Sequence, residues 1–236
     1  MSTPVRILIH GAFGRMGQAL LRLAAERADC VVVAAVSARS PAQRVIDGVP
    51  FFAASELSGV PAFDVAIDFS LPQGFSPILA LCIERKAAFV SGTTGLSGAQ
   101  NADLQAAAEW IPWLWTSNFS FGVAALEDAA ERVAALLHGW DCDIVEMHHT
   151  QKRDAPSGTA LTLGAAVERF GAHPRYASLR AGDIVGEHVV QFAAAGERVE
   201  LVHRASNRDI FARGALIAAT KLAGCPSGIY RLRDLI

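Results

Sequence analysis

The chain has no long apolar run, no excess charge of either sign and no paired cysteines, and each absence removes a class of protein. No stretch reaches the roughly 18 apolar residues that a membrane span needs. The apolar run in the N-terminal MSTPVRILIHG is too short for a signal-peptide core and is interrupted by Arg6. A net charge of −2 without a polybasic tract leaves no footprint for nucleic acid or a membrane surface. The cysteines, Cys30, Cys82, Cys142 and Cys225, are scattered, with no C-x-x-C pair and no metal-ligand spacing. They read as small buried hydrophobes in a reducing compartment. No repeat, low-complexity tract or flexible linker interrupts the chain. The expectation is a cytoplasmic protein without a bound metal. Its 236 residues, 52% hydrophobic and 19% charged, suffice for one large globular domain or two small ones.

What is present is an alternation. Residues 5–10 (VRILIH) form a short β-rich run ending at GAFGRMG, residues 11–17, after which Met16, Leu20, Leu23 and Ala24 recur at helical spacing. Strand, glycine turn and helix in that order make a unit that holds a pyrophosphate. Glycines permit the tight turn and close backbone approach, and the helix start supplies N–H groups and a positive dipole end. The spacing is G-x-x-G-x-x-G, with Phe13 where a second glycine usually stands, and a plain βα turn would also satisfy it. Position favours the nucleotide reading, because residues 30–36 (CVVVAAV) supply a second strand at the right distance. Further strands at 63–69 (FDVAIDF), 88–91 (AFVS) and 113–116 (WLWT) alternate with helices at 77–85 and 99–110. This pattern predicts a parallel sheet covered on both faces. Its ligand crevice should lie beyond the strand carboxyl ends, ringed by residues 11–17, 37–40, Ser70, 92–94 and 117–119.

After SNFSFG (117–122) the pattern changes. An amphipathic helix at 123–137 carries Val123, Leu126, Ala130, Val133 and Leu137 on one face. A strand at 143–149 (DIVEMHH) delivers His148 and His149 to its end. Residues 188–195 and 198–205 predict an antiparallel hairpin, 209–222 a helix, and the tail GIYRLRDLI a short strand able to return to the first domain. The fold expected is α/β, a Rossmann-like dinucleotide domain of residues 1–119 and 209–236 plus an α+β domain of residues 120–208.

Residues 148–160, HHTQKRDAPSGTA, concentrate the chemistry. Ser157 is a good N-cap for a helix at 159–170, so the N–H groups of Gly158 and Thr159 point out from a helix start, where an anion binds readily. Lys152, His148 and His149 lie a few residues upstream, close enough to aim at the same anion. A carboxylate there would meet a full positive charge plus backbone donors, and histidine can exchange a proton near neutrality. A nucleotide fold with a cationic, proton-donating second domain points to a reductase or dehydrogenase acting on a carboxylate.

EMHHTQKRDAPSGTA resembles the signature of the 4-hydroxy-tetrahydrodipicolinate reductase (dihydrodipicolinate reductase) family, and the resemblance runs end to end through GAFGRMG, GTTG, SNFSFGV, RAGDIVGEH, GERVELVHRA and FARGAL. It implies His148 as proton donor or acceptor and Lys152 as proton donor. It implies substrate carboxylates held by His149, Gly158 and Thr159 at the helix start that Ser157 caps. For the nucleotide it implies contacts from Gly11, Ala12, Phe13, Gly14, Arg15 and Met16, from Gly92, Thr93 and Thr94, and from Thr116, Ser117, Asn118 and Phe119. The reaction implied is reduction of a cyclic unsaturated dicarboxylate by NADPH or NADH, with loss of water, to tetrahydrodipicolinate on the diaminopimelate route to lysine. The family also implies a homotetramer built through the second-domain sheets, and a cationic loop that closes on the nucleotide crevice.

Two departures stand out. Where many members end the second strand with an acid that binds the adenosine ribose, this chain has Ser37, then Ala38 and Arg39, which fits NADPH at least as well as NADH. The segments 37–63 and 171–179 are also short for the family. Two competing readings are a reductase of another small carboxylate or imino acid, and a nucleotide-binding redox sensor. The first gives no reason for the combined HHxxK and DAPSGTA run, and sensors usually lose residues such as His148 and Lys152.

Overall fold

Four consecutive residues of the first strand, Val5–His10 (β1), are completely enclosed, as a central strand covered on both faces requires. A computed structural model of the chain describes residues 3–39 and 42–236. Ser40, expected at the crevice, lies outside the described residues. Two compact units result, one of residues up to Phe119 together with Phe211–Ile236, the other of Ser120–Ile210.

In the first unit, β1 leads through helix α1 (Arg15–Ala24) to β2 (Cys30–Ser37). A hairpin of β3 (Val45–Ile46) and β4 (Val49–Ala53) and a 3₁₀ turn at Ala54–Gly59 follow. Then come β5 (Val65–Asp68), α2 (Pro72–Arg85), β6 (Ala88–Ser91), α3 (Gly98–Ala107) and β7 (Pro112–Trp115). Strands β1 and β2 pair in parallel, as do β1 with β5, β5 with β6, and β6 with β7. The chain therefore starts in the middle of the sheet, runs outward through β2 and β4, then crosses back to β5 on the other side of β1. Such a reversal opens a crevice at the carboxyl ends of β1 and its neighbours. Below it, Leu8, Ala66, Phe75, Ile78 and Phe89 form the core, with Phe75 edge-on to Phe89 at 5.5 Å. Burying each of the leucine, isoleucine and phenylalanine side chains contributes about 1.5–3 kcal/mol.

The expected start of α2 needs correction. Two prolines compete for that place, and Pro72 at the first helical position takes it, leaving Pro77 inside the helix. The buried Phe75 anchors the extra turn, with Ile78, Leu79 and Cys82 following on the same face. The β3–β4 hairpin was not expected either. Its two-residue first strand carries too little pattern to register.

The second unit contains α4 (Phe121–Leu136), β8 (Asp141–His148), α5 (Gly158–Glu168), β9 (Pro174–Arg180), β10 (Gly186–Ala194) and β11 (Glu197–Ala205). Its sheet runs β11-β10-β8-β9, with β9 parallel to β8 and the other pairs antiparallel. Helices α4 and α5 bury Leu126, Ala130, Leu163 and Val167 against Ile144, Val190 and Phe192 on one sheet face. Strand β9 was missed because it is an edge strand with mostly exposed residues and no apolar alternation. Chain direction returns to the first unit within α6 (Asp209–Leu222), and β12 (Gly228–Tyr230) pairs in parallel with β7. That is the short returning strand expected of the tail.

Candidate active site

In the first unit a cleft of about 430 Å³ opens at the end of β1. Gly11, Phe13, Gly14, Ser37, Arg39 and Ser70 line it, as the strand-end expectation placed them. His10, Ala54, Leu71, Gln73 and Gly74 line it too and were not foreseen. Gly11 sits at φ +86°, and a Cβ there would lie 2.5 Å from the Phe69 carbonyl oxygen. At Gly17 a Cβ would come within 2.4 Å of the Gly11 oxygen, so α1 packs directly on the loop. The helix begins at Gly14 with no side-chain cap and no acid in its first turn. Its first N–H groups therefore lack helical partners, and a cradle this close to bare backbone fits a pyrophosphate. Arg15 is exposed, Met16 half-buried and Ala12 fully buried, while Phe13 is exposed and stacks on Phe51 at 5.3 Å.

Several expected nucleotide contacts have their hydroxyls engaged elsewhere. Ser37 is buried and donates to the Arg39 carbonyl at 2.6 Å. A 2′-phosphate would thus meet the exposed Arg39 side chain rather than a Ser37 donor. Thr93 donates to Asp68 at 2.7 Å, and the Thr116 hydroxyl donates to the Asn118 carbonyl while accepting from its N–H. Thr94 and Ser117 are exposed, and Phe119 is buried against Phe69. Gly92 packs under the Phe69 ring, where a Cβ would lie 2.2 Å from it. These residues follow β6 and β7, further along the same sheet edge, and do not line the 430 Å³ cleft.

Asp68 anchors that edge. It is fully buried, 2.9 Å from His10 Nδ1, and accepts from Ser91, Thr93 and the Ser70 N–H. Burial pushes its carboxyl up, but His10 and these hydroxyl and amide donors outweigh it and hold it below the usual range. An acid inside the apolar run FDVAIDF was the signal in the sequence, since a buried charge requires partners.

In the second unit, β8 ends at His148, and the turn after it is tied by the Thr150 N–H to the Gly182 carbonyl. Ser157 caps α5, accepting from the Ala160 N–H at 3.2 Å. The first turn of α5 has no acid, and the space around Gly158 is open. Lys152 Nζ lies 2.9 Å from the Asp154 carboxylate, and His149 is half-buried beside it in the same turn. Two groups that the sequence reading missed complete the arrangement. Glu146, fully buried, sits 2.5 Å from His148 Nδ1, and Arg180 grips it with two bonds of 2.7 and 2.8 Å. Burial raises the Glu146 carboxyl, yet Arg180, Ser178 and His148 bring it down to about 2. Burial lowers the His148 imidazole, with Glu146 opposing the shift. Among the described residues no cluster of side chains could hold a metal ion.

Two family models cover nearly the whole chain: dihydrodipicolinate reductase, N-terminus, over residues 5–119, and dihydrodipicolinate reductase, C-terminus, over residues 122–236. The chain belongs to the dihydrodipicolinate reductase family. It is 71% identical to the 4-hydroxy-tetrahydrodipicolinate reductase of Stenotrophomonas maltophilia (strain R551-3), across 99% of this chain and 98% of that one. It is 62% identical to the reductase of Xylella fastidiosa (strain 9a5c) over the full length of both. The fold matches the dipicolinate-bound dihydrodipicolinate reductase from Paenisporosarcina sp. TG-14 with a TM-score of 0.83 at 22% identity, covering 99% and 100% of the two chains.

The second unit also carries an acid-sensitive group. His188 is 3% exposed, its Nε2 lies 3.3 Å from the Ser157 hydroxyl, and its Nδ1 is buried without a partner. Burial first, then His148 and His203, lower its pKa to about 4. A folded pKa below the unfolded value near 6.5 means that the unfolded chain binds the proton first. Stability is therefore intact above pH 6.5 and falls as pH drops toward 4, by about 3 kcal/mol for this group. We expect His188→Gln to flatten urea-melt stability between pH 6.5 and 4. An unchanged slope in that window refutes the assignment.

Proposed function

We propose that this chain reduces 4-hydroxy-tetrahydrodipicolinate to tetrahydrodipicolinate, with loss of water, at the expense of NADPH or NADH, in diaminopimelate and lysine biosynthesis. Each half of the chemistry has a place in one unit. In the first, Gly11 permits the close backbone approach, its own N–H being bonded to the Val36 carbonyl, and the uncapped start of α1 binds the pyrophosphate through its backbone N–H groups. Bound NAD(P)H supplies a hydride. In the second, the open helix start at Gly158 and Thr159, with His149, holds a carboxylate, and Lys152 adds a full charge. His148 and Lys152 carry the proton that must accompany the hydride, and the Glu146 carboxylate stabilises the imidazolium. The observation that carries this reading is that His148 at the end of β8, Lys152 and the Ser157-capped start of α5 follow one another in a single connection, in a chain that matches its family over both units. The test is oxidation of NADPH on adding freshly made dihydrodipicolinate synthase product. No oxidation with active product would refute it.

Arg39 decides cofactor choice in this reading. No acid ends β2 to repel a 2′-phosphate, and the exposed guanidinium on the cleft can pair with it as a planar fork. NADPH should serve at least as well as NADH. Arg39→Ala should weaken NADPH by about 1.5–3 kcal/mol, as for a hydrogen bond to a charged group, and leave NADH nearly unchanged. Wild-type kcat/KM favouring NADH more than tenfold, or equal losses for both cofactors, would contradict this.

A homotetramer and a cytoplasmic location complete the proposal. The sheet face away from α4 and α5 presents a row of Ala177, Val145, Val189 and Val202 across all four strands, flanked by Arg204–Glu187 and Arg175–Asp143 pairs. An apolar centre with a charged rim is how a subunit interface is built. Sedimentation should show a tetramer, and a monomer at micromolar concentration would exclude it. No helix among the described residues is long and apolar enough to cross a membrane.

A further inference from the structure

We infer that Glu146 is the positioning residue of the proton-donating site, fixing the tautomer of His148 and the start of α5 together through one buried carboxylate. This rests on the reading of His148 as a proton donor. Strand periodicity puts Glu146 and His148, two residues apart on β8, on the same face of the sheet. One carboxylate oxygen, Oε2, meets His148 Nδ1 at 2.5 Å and Arg180 at 2.8 Å. The other, Oε1, accepts from Arg180 at 2.7 Å and from the Ser157 N–H at 3.3 Å. Arg180 in turn donates to the Asp154 carbonyl at 2.5 Å, so the same group ties down the turn that carries Lys152.

A charged, acceptor-only carboxylate demands a donor at Nδ1. The proton on Nδ1 therefore stays turned inward, and Nε2 is the nitrogen left to exchange one with the substrate. Gly186 lies beside Nε2, and any side chain there would crowd it, since a Cβ would come within 3.1 Å. Among the described residues, four charged or titratable groups face the ring. Glu146 comes from β8, Arg180 from β9, Lys152 from the following turn, and His188 from β10 at 5.2 Å between ring centres. Arg180 is bound up with Glu146 and two backbone carbonyls, so its role is to hold this carboxylate rather than to bind substrate.

Glu146→Gln tests the idea, because the amide keeps the size and one acceptor for Arg180 but can turn an NH₂ donor toward Nδ1, imposing the opposite tautomer. Turnover would be measured for Glu146→Gln, His148→Ala and the double variant, alongside ¹⁵N NMR of histidine-labelled wild-type protein. The expected results are a loss of on the order of 10²-fold or more in kcat for Glu146→Gln, no further loss when it is added to His148→Ala, and a proton on Nδ1 in neutral His148. Near wild-type turnover in Glu146→Gln, or losses that multiply in the double variant, overturns the proposal. If His148→Ala alone keeps full turnover, the proton-donor reading fails first, and that outcome is distinct. Should Glu146→Gln not fold, the wild-type spectrum decides, and a neutral ring protonated on Nε2 rules the idea out.

Discussion

Replacing Lys152 by Ala should lower turnover roughly 10²–10⁴-fold, the usual worth of a positioned general acid, with little change in NADPH affinity. The ammonium lies in the second unit, whereas the pyrophosphate cradle belongs to the first. Its partner Asp154 is more than half exposed, so their ion pair contributes about 0–1 kcal/mol to stability. The melting temperature should accordingly stay within a few degrees, which separates loss of chemistry from loss of fold. His148→Ala should fall in the same direction, less steeply if Lys152 still delivers the proton. Steady-state kcat, NADPH titration and a thermal melt check all three statements, and near wild-type turnover in Lys152→Ala would remove it from the chemistry.

Gly11→Ala should be the most damaging single change in the nucleotide cradle. The residue needs a positive φ, and the new methyl group would meet the Phe69 carbonyl at 2.5 Å and the Ser70 nitrogen at 2.9 Å, both backbone atoms that no rotamer can move aside. Left-handed strain and overpacking together cost roughly 2–6 kcal/mol, a large share of the 5–15 kcal/mol that holds a typical domain. Gly14→Ala is the control. Its φ is −71°, and its Cβ would lie 3.1 Å from the Gly11 oxygen, so the loss there should be about 1 kcal/mol. Urea melts and NADPH titration of both variants make the comparison. Equal behaviour would mean that the glycine at position 11 serves no steric purpose.

Much of this was legible before any coordinates. Apolar strand runs alternating with helical spacing specify a parallel sheet, because only βα repetition can cover both faces of such strands. The HHTQKRDAPSGTA run carries its own local logic. A serine cap, small residues after it and nearby cations lie within a few residues of one another, so the case for an anion site there can be read locally. What escaped was set by partners distant in sequence. Arg180 is 34 residues from Glu146, on an edge strand without a periodic signal, and β9 must pair with β8 before the two side chains can meet.

The sequence by itself determined the alternation of β1, β2, β5, β6 and β7 with helices, the glycine turn after β1, the missing acid after β2 and the serine-capped cationic run, since each depends on neighbours within a few residues. Tertiary structure alone decided which polar groups remain free to act. Ser37 and Thr93 read as ligand donors in sequence, but folding commits their hydroxyl protons to the Arg39 carbonyl and Asp68. Glu146 and Asp68 read as ordinary strand residues, yet burial obliges each to gather several donors, and those partners come from other strands. A buried polar atom must find its partner wherever the chain brings one, and spacing along the sequence does not encode that meeting.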